Sequence, residues 1–487
     1  MTINWTIIPP QCKKSLSLLS LTSALLISAC SVNPATGDRQ FTALLPMASE
    51  AKVGAQEHSK IEGQFGSFMT GPVADYVNEV GQRVAAHTER KDVSYKFYVL
   101  DSPIVNAFAL PGGYTYFSRG LLTLANSEAE LAAVIGHEIG HITGRHAASR
   151  MSQGMLANLG AAAVGIAAGG DAAKLASLGS NLYLSSYSRG QEHQSDELGV
   201  RYLSRAGYSP TAMSTFLSSL DAQSKLEAKE AGKETGFSYF STHPLTANRV
   251  SQARAEATKF PANSNEGRAA YLSRINGLVY GDSPDQGFAK GNRFYHPKID
   301  FTYTVPQGSK INNGSQSVTA VHPNGTIIVF DGGKGQSRDP SRFLADEWLK
   351  GQAKSSIEPI TVNGKRGATT SFSGNVQNKP VTIRLVAIEW QPGQYYRFQM
   401  AVPNGVSNSF VNELKQTTYS LRQMTAQERA SVQARKINVV TAPVGATVQS
   451  RAAQMNVEGN KVEHFLVLNG MLSNQQIVAG QPYKLVI

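Results

Sequence analysis

The sequence predicts an α+β protein of several domains: a mainly helical region, then a mixed α/β middle domain, then a small βααβ module at the end. Three observations predict it. From about Glu50 to Glu256 the chain is rich in Ala, and apolar residues recur at helical spacing, as in Val73, Val77, Val80 and Val84. After about Phe301 the pattern turns to β-branched and aromatic runs separated by Gly, Pro and Asn. The final stretch carries strand-like segments at both of its ends. A length of 487 residues points to two to four domains.

The chain opens with Lys13 and Lys14, followed by an apolar run from Leu16 to Ile27 that ends in Ile27-Ser28-Ala29-Cys30. A run of about a dozen apolar residues behind a basic region predicts a secretory signal, since a membrane span needs about twenty. The last four residues resemble the lipobox of bacterial lipoproteins. That resemblance implies a leader over 1–29, lipid on Cys30, and a tether over 30–49 that holds the protein at a membrane. Ser31, not Asp, follows the cysteine, which implies the outer membrane and a periplasmic location. Cys12 leaves with the leader and Cys30 carries lipid, so no thiol remains to pair and the core alone must hold the fold. The formal net charge is +11, yet no run of five basic residues occurs. Such a diffuse excess suits an anionic envelope surface and argues against sequence-specific nucleic-acid binding.

Further elements follow in chain order. Ser127-Glu128-Ala129-Glu130 has the form of a capping box, and Leu131, Val134, Ile135, Ile139 and Ile142 continue it as a helix. An apolar Ala/Gly stretch, 155–170, is too short and glycine-rich for a span and reads as a packing helix or a lid. Residues 261–300 read as a linker, and 301–435 as an accessory domain. Within it Ser317–Phe330 forms a hairpin about Pro323-Asn324-Gly325, Thr382–Trp390 pairs with Tyr395–Met400, and a helix runs from Asn408 to Arg422. Residues 436–487 resemble a LysM-like module, on Gly445-Ala446-Thr447-Val448, Leu468-Asn469-Gly470 and Ala479-Gly480-Gln481. This implies strand-helix-helix-strand order and contact with peptidoglycan. Ala446 stands where such modules more often have Asp.

The most informative segment is His137-Glu138-Ile139-Gly140-His141, an H-E-x-x-H pentad within the capped helix. Positions i and i+4 share a helix face, so both imidazoles reach one Zn²⁺ while Glu138 borders the open coordination position as a general base. Composition alone gives roughly a 1% chance of one such pentad. A catalytic zinc site normally has a third protein ligand. A third histidine six residues after the second would fall on Ala147, and His146 is one step early. A glutamate from a later helix is the other arrangement, and Glu192 offers one. Asp196, four residues on, shares its face and can hold a ligand histidine through its second nitrogen. His193 points about 100° away.

The pentad, then Ser188-Arg189-Gly190-Gln191-Glu192 with Ser195-Asp196, then Ser241-Thr242-His243-Pro244 with Asn248-Arg249, occur in the order of the HtpX-like and CAAX-prenyl-protease family of zinc metallopeptidases. Over about 50–260 the chain resembles its soluble periplasmic branch of outer-membrane assembly-maintenance lipoproteins. The resemblance implies His137, His141 and Glu192 as ligands of one Zn²⁺, Glu138 as catalytic base and Asp196 as a ligand-orienting or proton-donating carboxyl. It further implies His243 as a zinc-proximal latch, and a substrate-pairing strand, here Leu110, Pro111, Gly112 and Gly113. Gln194 and Ser195 depart from the family's usual Glu and Ala. The function implied is a zinc metalloendopeptidase of the bacterial cell envelope that degrades misfolded or stalled envelope proteins. The alternatives are a periplasmic chaperone or assembly factor, or a peptidoglycan-binding lipoprotein with a latched site.

Overall fold

The computed structural model describes residues 30–42, 45–154, 186–231, 239–244, 248–351, 355–376 and 379–487. The leader expected over 1–29 and the Ala/Gly stretch expected over 155–170 lie outside the described residues.

A hairpin of β1 (Cys30–Val32) and β2 (Arg39–Phe41) precedes helices α1 (Met47–Phe65) and α2 (Pro72–Ala85). Pro72 stands at the start of α2, where its missing N–H costs nothing, and the helix buries Val77, Val80 and Val84 of the predicted valine row. Next come β3 (Lys96–Leu100), β4 (Ala107–Leu110) and β5 (Tyr114–Ser118), in the order β3-β5-β4 with β4 antiparallel to β5. The strand expected at Leu110–Gly113 is therefore displaced. Leu110 ends β4, and Pro111–Gly113 form a 3-10 turn. Pro111 has no N–H for a ladder, and Gly112 and Gly113 have φ of 78° and 99°, a left-handed backbone that turns the chain.

Helices α3 (Arg119–Leu124), α4 (Glu128–Thr143), α5 (Arg189–Arg205), α6 (Ala212–Ala231), α7 (Tyr239–Thr242) and α8 (Arg249–Ala257) follow. Apolar residues surround α4, and almost every residue of it is buried. Ser127 caps it by accepting from the Glu130 N–H at 3.1 Å. The Glu130 carboxylate reaches back not to Ser127 but to the N–H of Asn126, at 2.8 Å.

α4 and α5 meet nearly backbone to backbone. A Cβ on Gly136 would stand 3.0 Å from the Gly199 carbonyl oxygen, and one on Gly140 would stand 3.0 Å from that of Ser195. Small residues four apart on each helix leave no side chain between them along this line.

Residues 261–300, expected as a linker, are folded. Helix α9 (Arg268–Ile275) puts Tyr271, Leu272 and Ile275 into the core shared by α2 and α4. Strand β6 (Val279–Tyr280) follows, and then a meander of β7 (Phe288–Lys290), β8 (Arg293–His296) and β9 (Phe301–Thr304). The Gly and polar spacing reads as a connection, but the interspersed aromatics Phe294, Phe301 and Tyr303 bury themselves in the middle domain.

That domain is one sheet of β10 (Lys310–Asn313), β11 (Ser317–Val321), β12 (Ile327–Lys334), β13 (Glu358–Val362), β14 (Lys365–Val376), β15 (Lys379–Gln391) and β16 (Gln394–Pro403). Its order is β10-β11-β12-β16-β15-β14-β13, and every neighbouring pair is antiparallel. The two expected hairpins are β11–β12 and β15–β16, and the expected helix is α10 (Asn408–Tyr419). Hairpin connections make this an α+β domain; an α/β sheet in the parallel sense needs helical crossovers.

The last module runs β17 (Arg435–Thr441), α11 (Val448–Ala452), α12 (Lys461–Leu468) and β18 (Pro482–Val486), with β17 antiparallel to both β18 and β6. Ile437, Phe465, Tyr483 and Leu485 join the same core as α4. Lys484 is fully buried, and its Nζ donates to the carbonyls of Thr123, Leu124 and Ala125 at 2.7, 3.1 and 2.8 Å. A cation thus satisfies the carbonyl end of α3. Burial pushes the Lys484 ammonium well down and the Glu130 carboxyl up, and each offsets part of the other's desolvation.

Lys484→Met should leave the Thr123 and Ala125 carbonyls without this donor, Leu124 keeping the Asn126 amide at 3.0 Å, and lower unfolding stability by about 3 kcal/mol, read from the midpoint of urea denaturation. An unchanged midpoint would mean that the module does not lean on α3.

Candidate metal centre

Helix α4 supplies His137, Glu138 and His141, α5 supplies Glu192 and Asp196, the residue after α7 is His243, and α8 opens with Arg249. All seven are buried. The close packing of α4 on α5 is what lets the short Glu192 side chain reach histidines on the neighbouring helix. A capping box at Ser188 and Gln191 fixes where α5 begins, at Arg189, three residues ahead of Glu192.

The ring nitrogens can be assigned from their partners. His137 Nδ1 lies 2.8 Å from Asp196 Oδ1. Asp196 also receives Arg249 through Nε to Oδ2 at 2.9 Å and Nη2 to Oδ1 at 2.8 Å. Burial works against the Asp196 anion, but Arg249 outweighs it and holds the carboxyl below its usual value. An ionised carboxylate only accepts, so His137 donates from Nδ1; burial opposes its cation, but Asp196 and Glu192 outweigh that and raise the ring above its ordinary value, so a metal would take Nε2 in exchange for its proton. His141 Nδ1 lies 2.8 Å from His146 Nδ1. Burial pushes the His146 ring down to about 4, so it is neutral near pH 7. Burial likewise holds His141 well below its ordinary value, leaving its ring uncharged, as a zinc ligand must be.

The Nε2 atoms of His137 and His141 stand 3.0 Å apart. Glu192 Oε1 is 3.3 Å from His141 Nε2, and Oε2 is 3.7 Å from His137 Nε2. His243 Nδ1 lies 2.9 Å from Glu192 Oε1, and His137, His141, Glu192 and His243 each offer a ligand atom within 4.8 Å of the others. Converging lone pairs and a carboxylate repel one another unless a cation sits among them. The charges agree: Glu138, Glu192 and Asp196 face one guanidinium, Arg249, whose Nη1 is 2.7 Å from Glu192 Oε2. The donor set of imidazole nitrogens and a carboxylate oxygen fits Zn²⁺.

Neither carboxylate oxygen of Glu138 has a hydrogen-bond partner, although His243 Nε2 is 3.5 Å from Oε1. Burial raises this carboxyl above its usual range. It is a basic oxygen with a free lone pair beside the metal position, as proton transfer there requires.

The rings are held from outside. Tyr187 stacks on His141 with centroids 3.6 Å apart, and Tyr239 stacks on His243 at 4.4 Å. The cavity touching His141, between Leu110, Pro111, Arg145 and Tyr187, is about 10 Å³, room for one water at most. His193 is half-exposed and faces Glu197 at 3.5 Å, away from the cluster. Pro111, Gly112 and Gly113 lie under α1, where a Cβ on Gly54 would collide with the Pro111 carbonyl.

Two contributors were not singled out from sequence. His146 was set aside as one step early for a ligand, yet it holds a ligand; its spacing from His141 was the available signal. Arg249 stood in a recognised motif, but only the fold shows it bridging Glu192 and Asp196.

Two histidines one helical turn apart, a carboxylate base between them and a glutamate from a second helix define the gluzincin class of zinc peptidases. Residues 73–257 match the model of Peptidase family M48. The chain is 29% identical over 223 residues to the beta-barrel assembly-enhancing protease of Yersinia pestis, covering 43% of this chain and 45% of that one. It is 26% identical over 267 residues to the protein of that name in Escherichia coli (strain K12), covering 51% and 54%. It is 34% identical over 170 residues to the metalloprotease LoiP of Escherichia coli (strain K12), covering 33% and 62%. The chain thus spans about half the length of the first two relatives.

Arg249→Met should destabilise the metal-free protein by about 3–5 kcal/mol, because two buried carboxylates lose their counter-charge. Added zinc should restore part of that loss, seen as a larger zinc-induced rise in Tm than in the parent; an equal rise would detach Arg249 from the metal site.

Proposed function

We propose that this chain is a zinc-dependent endopeptidase of the bacterial cell envelope, acting on misfolded or stalled envelope polypeptides. The observation that carries the reading is the unpartnered Glu138 carboxylate beside the converging nitrogens of His137 and His141. The names of the relatives support the substrate class. A lipid on Cys30 would tether the protein to the outer membrane; among the described residues no helix is long and apolar enough to cross a membrane.

His137, His141 and Glu192 would hold the ion, which when bound would supply a Lewis acid to polarise a scissile carbonyl and acidify a water. Glu138 takes the water's proton during attack and returns it to the leaving amine. Asp196, braced by Arg249, accepts from His137 Nδ1 and so fixes the orientation of that ring, and does not need to change protonation. His243 offers a fourth donor to the same cluster, so it would compete for the metal and peptide entry would require the His243 segment to withdraw.

Glu138→Gln should bind zinc normally and lose at least about 10²-fold in cleavage of unfolded casein. Retained cleavage would sink the mechanism. His243→Ala should raise kcat/KM on the same substrate; a fall would recast His243 as a needed ligand.

A further inference from the structure

The hydrogen-bonding around His141 does not stop at His146. His146 Nε2 lies 2.7 Å from Gln194 Oε1, and the Gln194 amide nitrogen donates to Asp38 Oδ2 at 3.1 Å. Each link has a fixed direction. A carboxylate accepts only, so Asp38 takes the Gln194 N–H and turns Oε1 toward His146. An amide oxygen accepts only, so His146 Nε2 carries its ring's proton and Nδ1 is left as an acceptor. His141 must then donate from Nδ1, which leaves its Nε2 lone pair for the metal. The direction of the chain is set at its outer end, by a residue of the N-terminal hairpin.

The hairpin is well placed to do this. Asn33 Nδ2 donates to the Gly144 carbonyl at the end of α4 at 3.2 Å, and Arg201 of α5 donates to the Ala35 carbonyl at 3.0 Å. Arg145, just past α4, donates to the Thr42 hydroxyl at 2.8 Å and to the Leu45 carbonyl at 2.6 Å. It does so from a left-handed backbone, φ 53°, a conformation that a non-Gly residue adopts only where its surroundings hold it. Asn33, Thr42 and Leu45 therefore grip the end of the helix that carries both histidine ligands, and Ala35 touches the helix that carries Glu192.

We propose that the N-terminal segment is an outer part of the metal site, and that Asp38, Gln194 and His146 are positioning residues which fix the tautomer and ring orientation of His141. This rests on the zinc reading above. It also gives a reason for Gln194: an amide can accept from His146 and donate to Asp38 together, whereas a Glu there would face the Asp38 carboxylate.

The test is zinc affinity by chelator competition, with the visible spectrum of the cobalt(II)-substituted full chain as a second readout. Gln194→Met and His146→Leu should each bind zinc about 10–100-fold more weakly and shift the cobalt bands, as expected when a ligand's outer partner is lost. Asp38→Ala changes an exposed residue, should fold normally, and should show a smaller loss of the same sign. The exchange Asp38→Asn with Gln194→Glu reverses donor and acceptor at the outer link but keeps the acceptor for His146, and should restore affinity and spectrum. If Asp38→Ala and Gln194→Met match the parent within twofold with unchanged spectra, or the exchange binds as weakly as Gln194→Met, the proposal is overturned. A parent chain that takes up no zinc would overturn the zinc reading itself, a different result from variants that match a zinc-binding parent.

Discussion

The structure depends on the close approach of two helices. Gly136 and Gly140 on α4 face Gly199 and Ser195 on α5 at distances that leave no room for a larger side chain. Only at that separation can Glu192 share a point in space with His137 and His141, and Asp196 reach behind His137. A methyl group at Gly136 or Gly140 would push the helices apart in a core that has no slack to absorb it.

That contact concentrates charge where water cannot screen it. Three carboxylates, three imidazoles and one guanidinium lie within a fully buried cluster. Buried charge of this kind is costly unless each member is paired or a cation is bound. Arg249 answers for Asp196 and part of Glu192, and a dication answers for the rest. The same low-polarity surroundings that make the cluster expensive raise Glu138 toward the basicity that peptide hydrolysis uses.

The rest of the chain braces this pair of helices. The N-terminal hairpin holds the far end of α4, while the C-terminal module enters the core beside its start through Lys484 and the carbonyls of α3. Segments separated by hundreds of residues in sequence therefore bear on one helix from both ends. The middle domain keeps a core of its own around Phe294, Phe330 and Phe398, so its sheet folds on local hairpin logic.

Sequence by itself determined the elements whose signals are local. The helix of the pentad, the valine row of α2, the hairpins β11–β12 and β15–β16 and the helix α10 follow from periodicity and turn residues, because backbone geometry repeats over a few residues. Two imidazoles and a base on one face of α4 follow from the same periodicity. What only the tertiary structure decided is which distant side chains meet: Arg249 between Glu192 and Asp196, Asp38 on Gln194, Lys484 under α3. The folded segment over 261–300 belongs here too, since its polar and glycine spacing says nothing of the aromatic residues' destination. Hydrogen bonds and ion pairs across 50 to 360 residues leave no period in the chain; they exist because packing removes water and leaves each polar group to find a partner.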